Sequence, residues 1–217
     1  LHKIVRETND CNIIRRRIRQ DCRMGIDFAA LAVFALVSSI TPGPNNLMLM
    51  ASGVNFGLAR TLPHMLGVAL GFTAMIVGVG AGVMQVFALW PPAYDALRAL
   101  CLAYLVWLSW RIAKSGHVEG PSSRARPMTF LEAAAFQWVN PKAWAMALTA
   151  MAVYAPSRSP AAIVAVAVIF GAINLPSVGL WAAAGRAVRQ RLTAPGRLRA
   201  FNWTMAALLL ASTLPML

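Results

Sequence analysis

Residues 39–46 read Ser-Ile-Thr-Pro-Gly-Pro-Asn-Asn, and they stand in the middle of a run without charge from Phe28 to Ala59. About 20 apolar residues cover the ~30 Å hydrocarbon core of a bilayer as one helix. A straight helix over 27–53 would reach ~40 Å, longer than that core requires. Pro42 and Pro44 have no N–H to donate, so the carbonyls of Ser38 and Ile40 lose their helical partners. Gly43 between them permits unusual backbone angles. In hydrocarbon an unpaired carbonyl costs several kcal/mol unless protein, water or ligand satisfies it. The motif therefore predicts a membrane helix broken near 41–46, with the Asn45 and Asn46 amides beside the break.

Composition extends the membrane reading to the rest of the chain. Only 12% of the 217 residues are charged and 59% are hydrophobic, where a soluble domain carries about 25% charged residues. Between Thr61 and Tyr94 only His64 can carry a charge, and further apolar runs follow to the end of the chain. The runs predict an all-α, polytopic bundle of six transmembrane helices near 27–53, 62–88, 96–113, 130–154, 161–185 and 200–217. Trp90, Tyr94, Trp107, Trp110 and Tyr154 fall at run ends, where amphipathic rings favour the interface. Gly67/Gly71 and Gly78/Gly82 offer two small-residue faces for close helix packing.

The net charge of +13 does not point to nucleic acid. Seven of the twenty Lys/Arg lie in residues 1–23, and most others flank apolar runs. Loops one, three and five hold ten basic residues, from Arg60 through Arg111, Lys114, Arg124 and Arg126 to the Arg186–Arg199 group. Loops two and four hold only Arg98 and Arg158. The positive-inside rule then puts loops one, three and five in the cytoplasm and the core's termini outside. Residues 1–23 are polar and Arg-rich, on the wrong side for this rule. They are expected to be a non-native or disordered extension ahead of Met24, with 24–217 forming the six-helix transmembrane domain.

Two further prolines interrupt apolar runs. Pro141 frees the carbonyl of Gln137, with Asn140 and Lys142 beside it. Pro176 frees the carbonyl of Ala172 next to Asn174. Kinks absorbed by neighbouring helices are the plain alternative for both, and Lys142 could snorkel to an interface. Breaks at the first helix of each half point to a substrate site between two inverted three-helix halves. Thr41, Pro42, Gly43, Pro44, Asn45, Asn46, Gln137, Asn140, Pro141, Lys142 and Asn174 are the expected binding residues. Free carbonyls and the Asn45/Asn46 amides would meet an ammonium. Lys142 and the half-helix N-termini would meet a carboxylate.

The combination of Ser39–Asn46 with Ala103-Tyr-Leu-Val-Trp-Leu-Ser-Trp110 and Phe136-Gln-Trp-Val-Asn-Pro-Lys142 resembles the LysE/RhtB family of small bacterial amino-acid exporters. The Thr-Pro-Gly-Pro-Asn-Asn and Ala-Tyr-Leu-Val-Trp pieces look closest to its cysteine/O-acetylserine efflux branch. The resemblance runs from about Met24 to the C-terminus. It implies six helices in the bacterial cytoplasmic (inner) membrane and export of amino acids or their derivatives by proton antiport. Many members carry an acidic residue where Asn45 stands, which puts a carboxylate proton carrier there in doubt. Glu132 and His64 are the remaining candidates for that role.

Rival readings are an exporter of a divalent metal or other ion, or a non-transporting membrane scaffold. A metal site would want clustered carboxylate, thiolate or imidazole ligands, and the spans offer none. Cys11, Cys22 and Cys101 have neither disulfide nor metal spacing. No catalytic constellation lies within the spans, so no enzyme and no cofactor are expected. The partners are a small amino-acid substrate and the lipid bilayer. Six small helices leave little wall for a private pathway, which favours a homodimer.

Overall fold

The computed structural model describes residues 26–90, 92–114, 126–155, 157–192 and 194–211. Among the described residues there are helices and turns and no strand. Helix α1 (Phe28–Ile40) starts on Asp27, whose side chain accepts from the Ala30 N–H, and ends where Pro42 and Pro44 withdraw their donors. Helix α2 (Pro44–Phe56) restarts with proline at its first position, where the missing N–H costs nothing. The two helices are bent by 53°. Gly57, at φ +79°, turns α2 directly into α3 (Leu58–Gly80). The positive φ is the reason a glycine stands there.

Helix α3 ends in a Schellman turn. Gly82 N–H donates to the Val79 carbonyl and Val83 N–H to the Gly78 carbonyl, with Gly82 at φ +104°. A short α4 (Met84–Leu89) and a long α5 (Pro92–Ala113) follow. Helix α6 (Phe130–Phe136) opens on a capping box between Thr129 and Glu132. It runs through one 3₁₀ turn (Gln137–Val139) into α7 (Pro141–Tyr154), again with proline at the start. Helices α8 (Pro160–Arg189) and α9 (Pro195–Ala211) complete the described chain.

These elements revise several expected boundaries. The second predicted span begins at Leu58 and stops at Gly80, so Gly82 caps the helix and Gly78/Gly82 is no packing face. Helix α8 runs unbroken through Pro176. One proline removes one N–H, and both flanking turns hold; the Ser177 hydroxyl also donates to the Ile173 carbonyl at 2.8 Å. Two prolines two residues apart leave no such intact turn at Pro42–Pro44. Several basic residues assigned to loops, among them Arg98, Arg111, Arg186 and Arg197, sit on helices instead. Helices continue past the apolar run because only their charged ends need to reach water. Tyr154 turns inward, donating to the Ala30 carbonyl and lying 5.8 Å from the Phe34 ring. Residues 1–23, Cys11 and Cys22 among them, and the side chain of Tyr94 lie outside the described residues, as do Arg124 and the last turn of the predicted sixth helix.

Helix α8 is the hub, packed against α1, α2 and α3; α3 also packs on α6, and α5 on α9. Close approach rests on small residues. A Cβ on Gly53 would strike the Ala182 backbone, and one on Gly185 the Met50 backbone. Gly67 and Gly71 do form a packing face, against Phe130 and Ala134 of α6. Phe72, Phe136 and Phe170 fill the interior. Polar Ser39, Asn46, Thr61, His64, Gln137, Asn140 and Asn174 are buried, while Val33, Leu36, Val37, Val164, Val168 and Leu180 face outward. An apolar exterior, with the polar groups kept to the interior among the core side chains, suits lipid as solvent. Three helical stretches, Leu58–Gly80, Asp95–Ala113 and Pro160–Arg189, are long and apolar enough to cross a membrane, and the bent α1–α2 pair makes a fourth if counted as one span.

Candidate functional site

The two proline breaks meet inside the bundle. At the first, every carbonyl released by the missing helical bonds finds a named donor. Ser38 O accepts from the Thr41 hydroxyl at 3.0 Å, Ser39 O from the Asn46 amide at 2.8 Å, and Ile40 O from the Trp181 indole at 3.0 Å. Thr41 O accepts from the Asn46 amide at 2.8 Å. The same carbonyl accepts from the Lys142 ammonium at 2.7 Å, which also reaches the Thr41 hydroxyl at 2.9 Å and Pro42 O at 3.3 Å. Lysine from the second break therefore closes the first.

At the second break the Gln137 carbonyl is taken by the Asn140 N–H at 3.3 Å, and Trp138 O by the Trp144 indole at 2.9 Å. The Asn140 side chain caps α7, accepting from the Lys142 N–H at 3.2 Å. An amide pair then ties the breaks together. Asn45 Nδ2 donates to Gln137 Oε1 at 2.8 Å, and Gln137 Nε2 donates back to Asn45 Oδ1 at 3.2 Å.

Gly43 is needed here for space rather than for backbone freedom. Its φ of −178° is extended backbone open to any residue, but an added Cβ would fall 2.6 Å from Lys142 Cδ. Lysine occupies the room that the absent side chain leaves.

Gly43, Asn45, Asn46, Asn140, Lys142 and Asn174 line a cavity of about 20 Å³, room for one water molecule and not for an amino acid. Asn174 donates to the Ser39 hydroxyl at 3.1 Å, while its buried Oδ1 has no hydrogen-bond partner. That oxygen is an acceptor waiting for a donor. The N-termini of α2 and α7 both open here, and Lys142 sits in the first turn of α7, where the helix dipole disfavours a cation. No carboxylate is among the described residues that line the cavity. The electrostatics call for an anion beside Lys142 and a donor beside Asn174.

All eleven residues expected from sequence thus fall in one place: six line the cavity, Thr41 and Pro42 hold Lys142, Gln137 is joined through Asn45, and Pro44 and Pro141 start the two helices. Ser38, Ser39, Phe72, Met146 and Val178 also line it, and Trp181 seals the Ile40 carbonyl, none of them expected as site residues. The Trp181 signal was an indole N–H inside an apolar run, a donor that a buried tryptophan has to place. Glu132 lies away from this cavity, in the α6 capping box and in an ion pair with Arg126 at 2.6 Å. His64 is elsewhere on α3.

The pairing of Asn45 with Gln137 makes a measurable coupling. Asn45→Leu and Gln137→Leu should each destabilise the protein by ~1 kcal/mol, the low end of ~1–3 kcal/mol, since Gln137 keeps its bond to the Ala133 carbonyl and Asn45 is only half-buried. The double variant should recover ~0.6 kcal/mol or more of the sum, the size of interhelical hydrogen bonds in membranes. Unfolding in mixed micelles gives the cycle; strict additivity would mean the pair carries no energy.

The model of the family described as LysE type translocator matches residues 36–214, from before the first break to the end of α9 and beyond. The chain belongs to that family. A cysteine/O-acetylserine efflux protein of Klebsiella pneumoniae is 30% identical over 183 residues, covering 83% of this chain and 92% of its own length. A protein of the same description from Escherichia coli is 28% identical, over 84% of this chain and 93% of its own. One from Shigella flexneri is 28% identical, over 78% and 87%. No solved structure matches this translocator.

Proposed function

We propose that this translocator is a secondary-active exporter of amino acids or amino-acid derivatives across the bacterial cytoplasmic membrane, coupled to proton antiport. The observation that carries the reading is the meeting of two helix breaks around Lys142 and the unpartnered Asn174 oxygen. Cation and acceptor across a small polar cavity match the carboxylate and ammonium of a zwitterion. The relatives' description as cysteine/O-acetylserine efflux proteins supports a small, polar amino acid.

Residues 24–217 form the transporter domain, with six spans in two inverted halves and the core's termini outside. Neighbour relations support the halves: exchanging α1–α2 with α6–α7, α3 with α8 and α5 with α9 maps most contacting pairs onto contacting pairs. Thus α1 on α8 corresponds to α6 on α3, and α3 on α8 and α5 on α9 map onto themselves. A homodimer completes the assembly.

In the cycle, the substrate carboxylate replaces the Thr41 and Pro42 carbonyls as partner of Lys142. The ammonium takes Asn174 Oδ1 and the carbonyls so released. A cavity of about 20 Å³ has to widen for this, and rocking of one half on the other at the two breaks supplies the movement. Efflux of labelled cysteine, O-acetylserine, threonine, homoserine and lysine from cells expressing the chain, with and without an uncoupler, tests the proposal. Uncoupler-sensitive export of at least one is expected. Export of none from protein shown in the membrane would overturn it.

A further inference from the structure

Residue order leaves Glu132 and His64 as candidates to carry a proton, and their surroundings separate them. Glu132 is committed elsewhere: its carboxylate binds Arg126 at 2.6 and 2.7 Å and accepts from the Thr129 N–H at 2.8 Å. Asp27 and Asp95 are exposed, the first capping α1 and the second in the first turn of α5. Lys142 engages three acceptors at the first break. His64, the one histidine among the described residues, is 1% exposed, and neither ring nitrogen has a hydrogen-bond partner.

The ring stands in the wall of a second cavity, of about 400 Å³, between α2, α3, α5 and the segment before α6. Exposed Lys114 and Arg126 line its outer end, which opens it to water. At its depth the other polar groups are met within the protein. The Ser52 and Thr61 hydroxyls lie 2.8 Å apart, and Asn55 pairs with Asn202 of α9 at 3.0 Å. A neutral imidazole offers one donor and one acceptor, and leaving each unmet in a buried place costs ~1–3 kcal/mol. Imidazole is also the side chain whose unperturbed charge changes between about pH 5 and 8. An unpartnered ring beside a water-filled space is placed to take up a proton and give it back.

Two helices run between this cavity and the central one. On α2, Asn46 lines the central cavity and Ser52 the second, ~9 Å further along the axis. On α3, Phe72 lines the central cavity and His64 the second, ~12 Å apart. A charge on a dry, buried ring is costly unless it is hydrated or paired. Protonation of His64 therefore favours an arrangement in which α2 and α3 part to admit water. Rigid helices that move at one cavity move at the other.

Around the ring, α2 and the 3₁₀ turn Gln137–Val139 bring no charged side chain. Arg60, one turn before His64 on α3, lies 5.7 Å over the Phe56 ring. Helix α5 brings Arg111 and Lys114. Arg126 and Glu132 stand as a pair at the start of α6, with the Glu132 charge close enough for His64 to feel. Helix α8 carries Arg186 and Arg189 in its last turn, and Lys142 of α7 is at the central cavity. His117, Glu119 and Arg124 lie outside the described residues.

We propose that His64 carries the antiported proton. Its unprotonated nitrogen takes the proton from water when the site faces outward, and the imidazolium returns it to water when the site faces the cytoplasm. One proton enters for each substrate molecule that leaves. The inference rests on the exporter reading and deepens it by assigning the coupling residue.

The test uses the full chain in proteoliposomes, with the membrane potential clamped and O-acetyl-L-serine as cargo. A gradient of one pH unit, acid inside, holds ~1.4 kcal/mol per proton and sets a ceiling of ~10-fold accumulation. The native chain should approach that ceiling. His64→Gln should accumulate nothing above equilibration, yet still exchange labelled for unlabelled substrate at equal pH. A His64→Gln protein that accumulates overturns the inference and leaves the exporter reading standing. Loss of exchange together with accumulation in the folded variant also overturns it, since the ring would then serve substrate binding or packing. Exchange without accumulation by the native chain would remove antiport, and the carrier with it. A native chain that exchanges none of O-acetylserine, cysteine, threonine, homoserine and lysine sinks the exporter reading itself, and this inference falls too. A second measurement reads the ring directly, in nanodiscs of the chain carrying His2→Gln and His117→Gln. The ring ¹⁵N signals of His64 should pass from the neutral to the charged pattern between about pH 8 and 5, with helicity unchanged. A ring that stays neutral throughout overturns the proposal.

Discussion

Replacing Lys142 with methionine is expected to reduce transport at least ~100-fold, ~2.7 kcal/mol of lost transition-state stabilisation, with the protein still inserted and folded. Methionine keeps most of the side chain's volume beside Gly43 and removes the ammonium. Three acceptors lose the lysine together: the Thr41 carbonyl, the Thr41 hydroxyl and the Pro42 carbonyl. Thr41 and Pro42 are exposed and the Thr41 carbonyl keeps the Asn46 amide, so the cost in stability stays at the low end of ~1–3 kcal/mol. The transport cost is larger because the cation is also the proposed partner of the substrate carboxylate. Lys142→Arg is not a conservative swap, since a planar guanidinium fork cannot converge on the Thr41 carbonyl, the Thr41 hydroxyl and the Pro42 carbonyl as the compact ammonium does. Efflux compared at equal membrane content reads the effect; near-normal export by the methionine variant would remove Lys142 from the mechanism.

Gly185→Leu should instead destroy the fold, and transport only as a consequence. A Cβ at Gly185 meets backbone atoms of Met50, and across the same crossing one at Gly53 meets the backbone of Ala182. A flexible side chain can move aside, whereas two helical backbones can only separate. The separation would open the α2–α8 contact beside the central cavity, which Asn46 of α2 and Asn174 and Val178 of α8 line. Overpacking costs ~1–3 kcal/mol in ordinary cores, and this crossing should lie at or above the top of that range. Size-exclusion profile and thermal stability of the purified protein measure it. Gly196→Ala is the control, since nothing lies within 4 Å of that position, and a change under ~0.5 kcal/mol is expected there. Equal stability of the Gly185 variant would mean that the helices are not held by close backbone approach.

Much of the site was legible because backbone chemistry is local. A proline removes its own N–H whatever surrounds it, so the breaks at 41–46 and 137–142 follow from residue order. The family resemblance read from the same motifs agrees with the family the chain belongs to. At Pro176 residue order left a break and an absorbed kink both open, and the helix runs through. Losing one bond does not break a helix whose flanking turns hold, and whether they hold depends on packing. The Gly78/Gly82 face failed because helix ends depend on turn geometry, and Gly82 serves as the cap of α3. His64 had a visible signal, a lone imidazole in an apolar run, but its place in the wall of a second cavity of about 400 Å³ comes from four segments distant in sequence.

By itself the sequence determined that this chain is a helical membrane protein of a known translocator family, and where its helices lose a donor. Apolar run length, missing donors and charge placement act within one segment and need no partner. The tertiary structure alone decided which donor answers each broken carbonyl: Lys142 from 101 residues away for Thr41, and Trp181 from 141 residues away for Ile40. It also decided that the central cavity is about 20 Å³ while the one beside it is about 400 Å³. Hydrogen-bond partners across the bundle and the volume left between helices depend on how backbones cross, and crossing is set by packing among all of them at once.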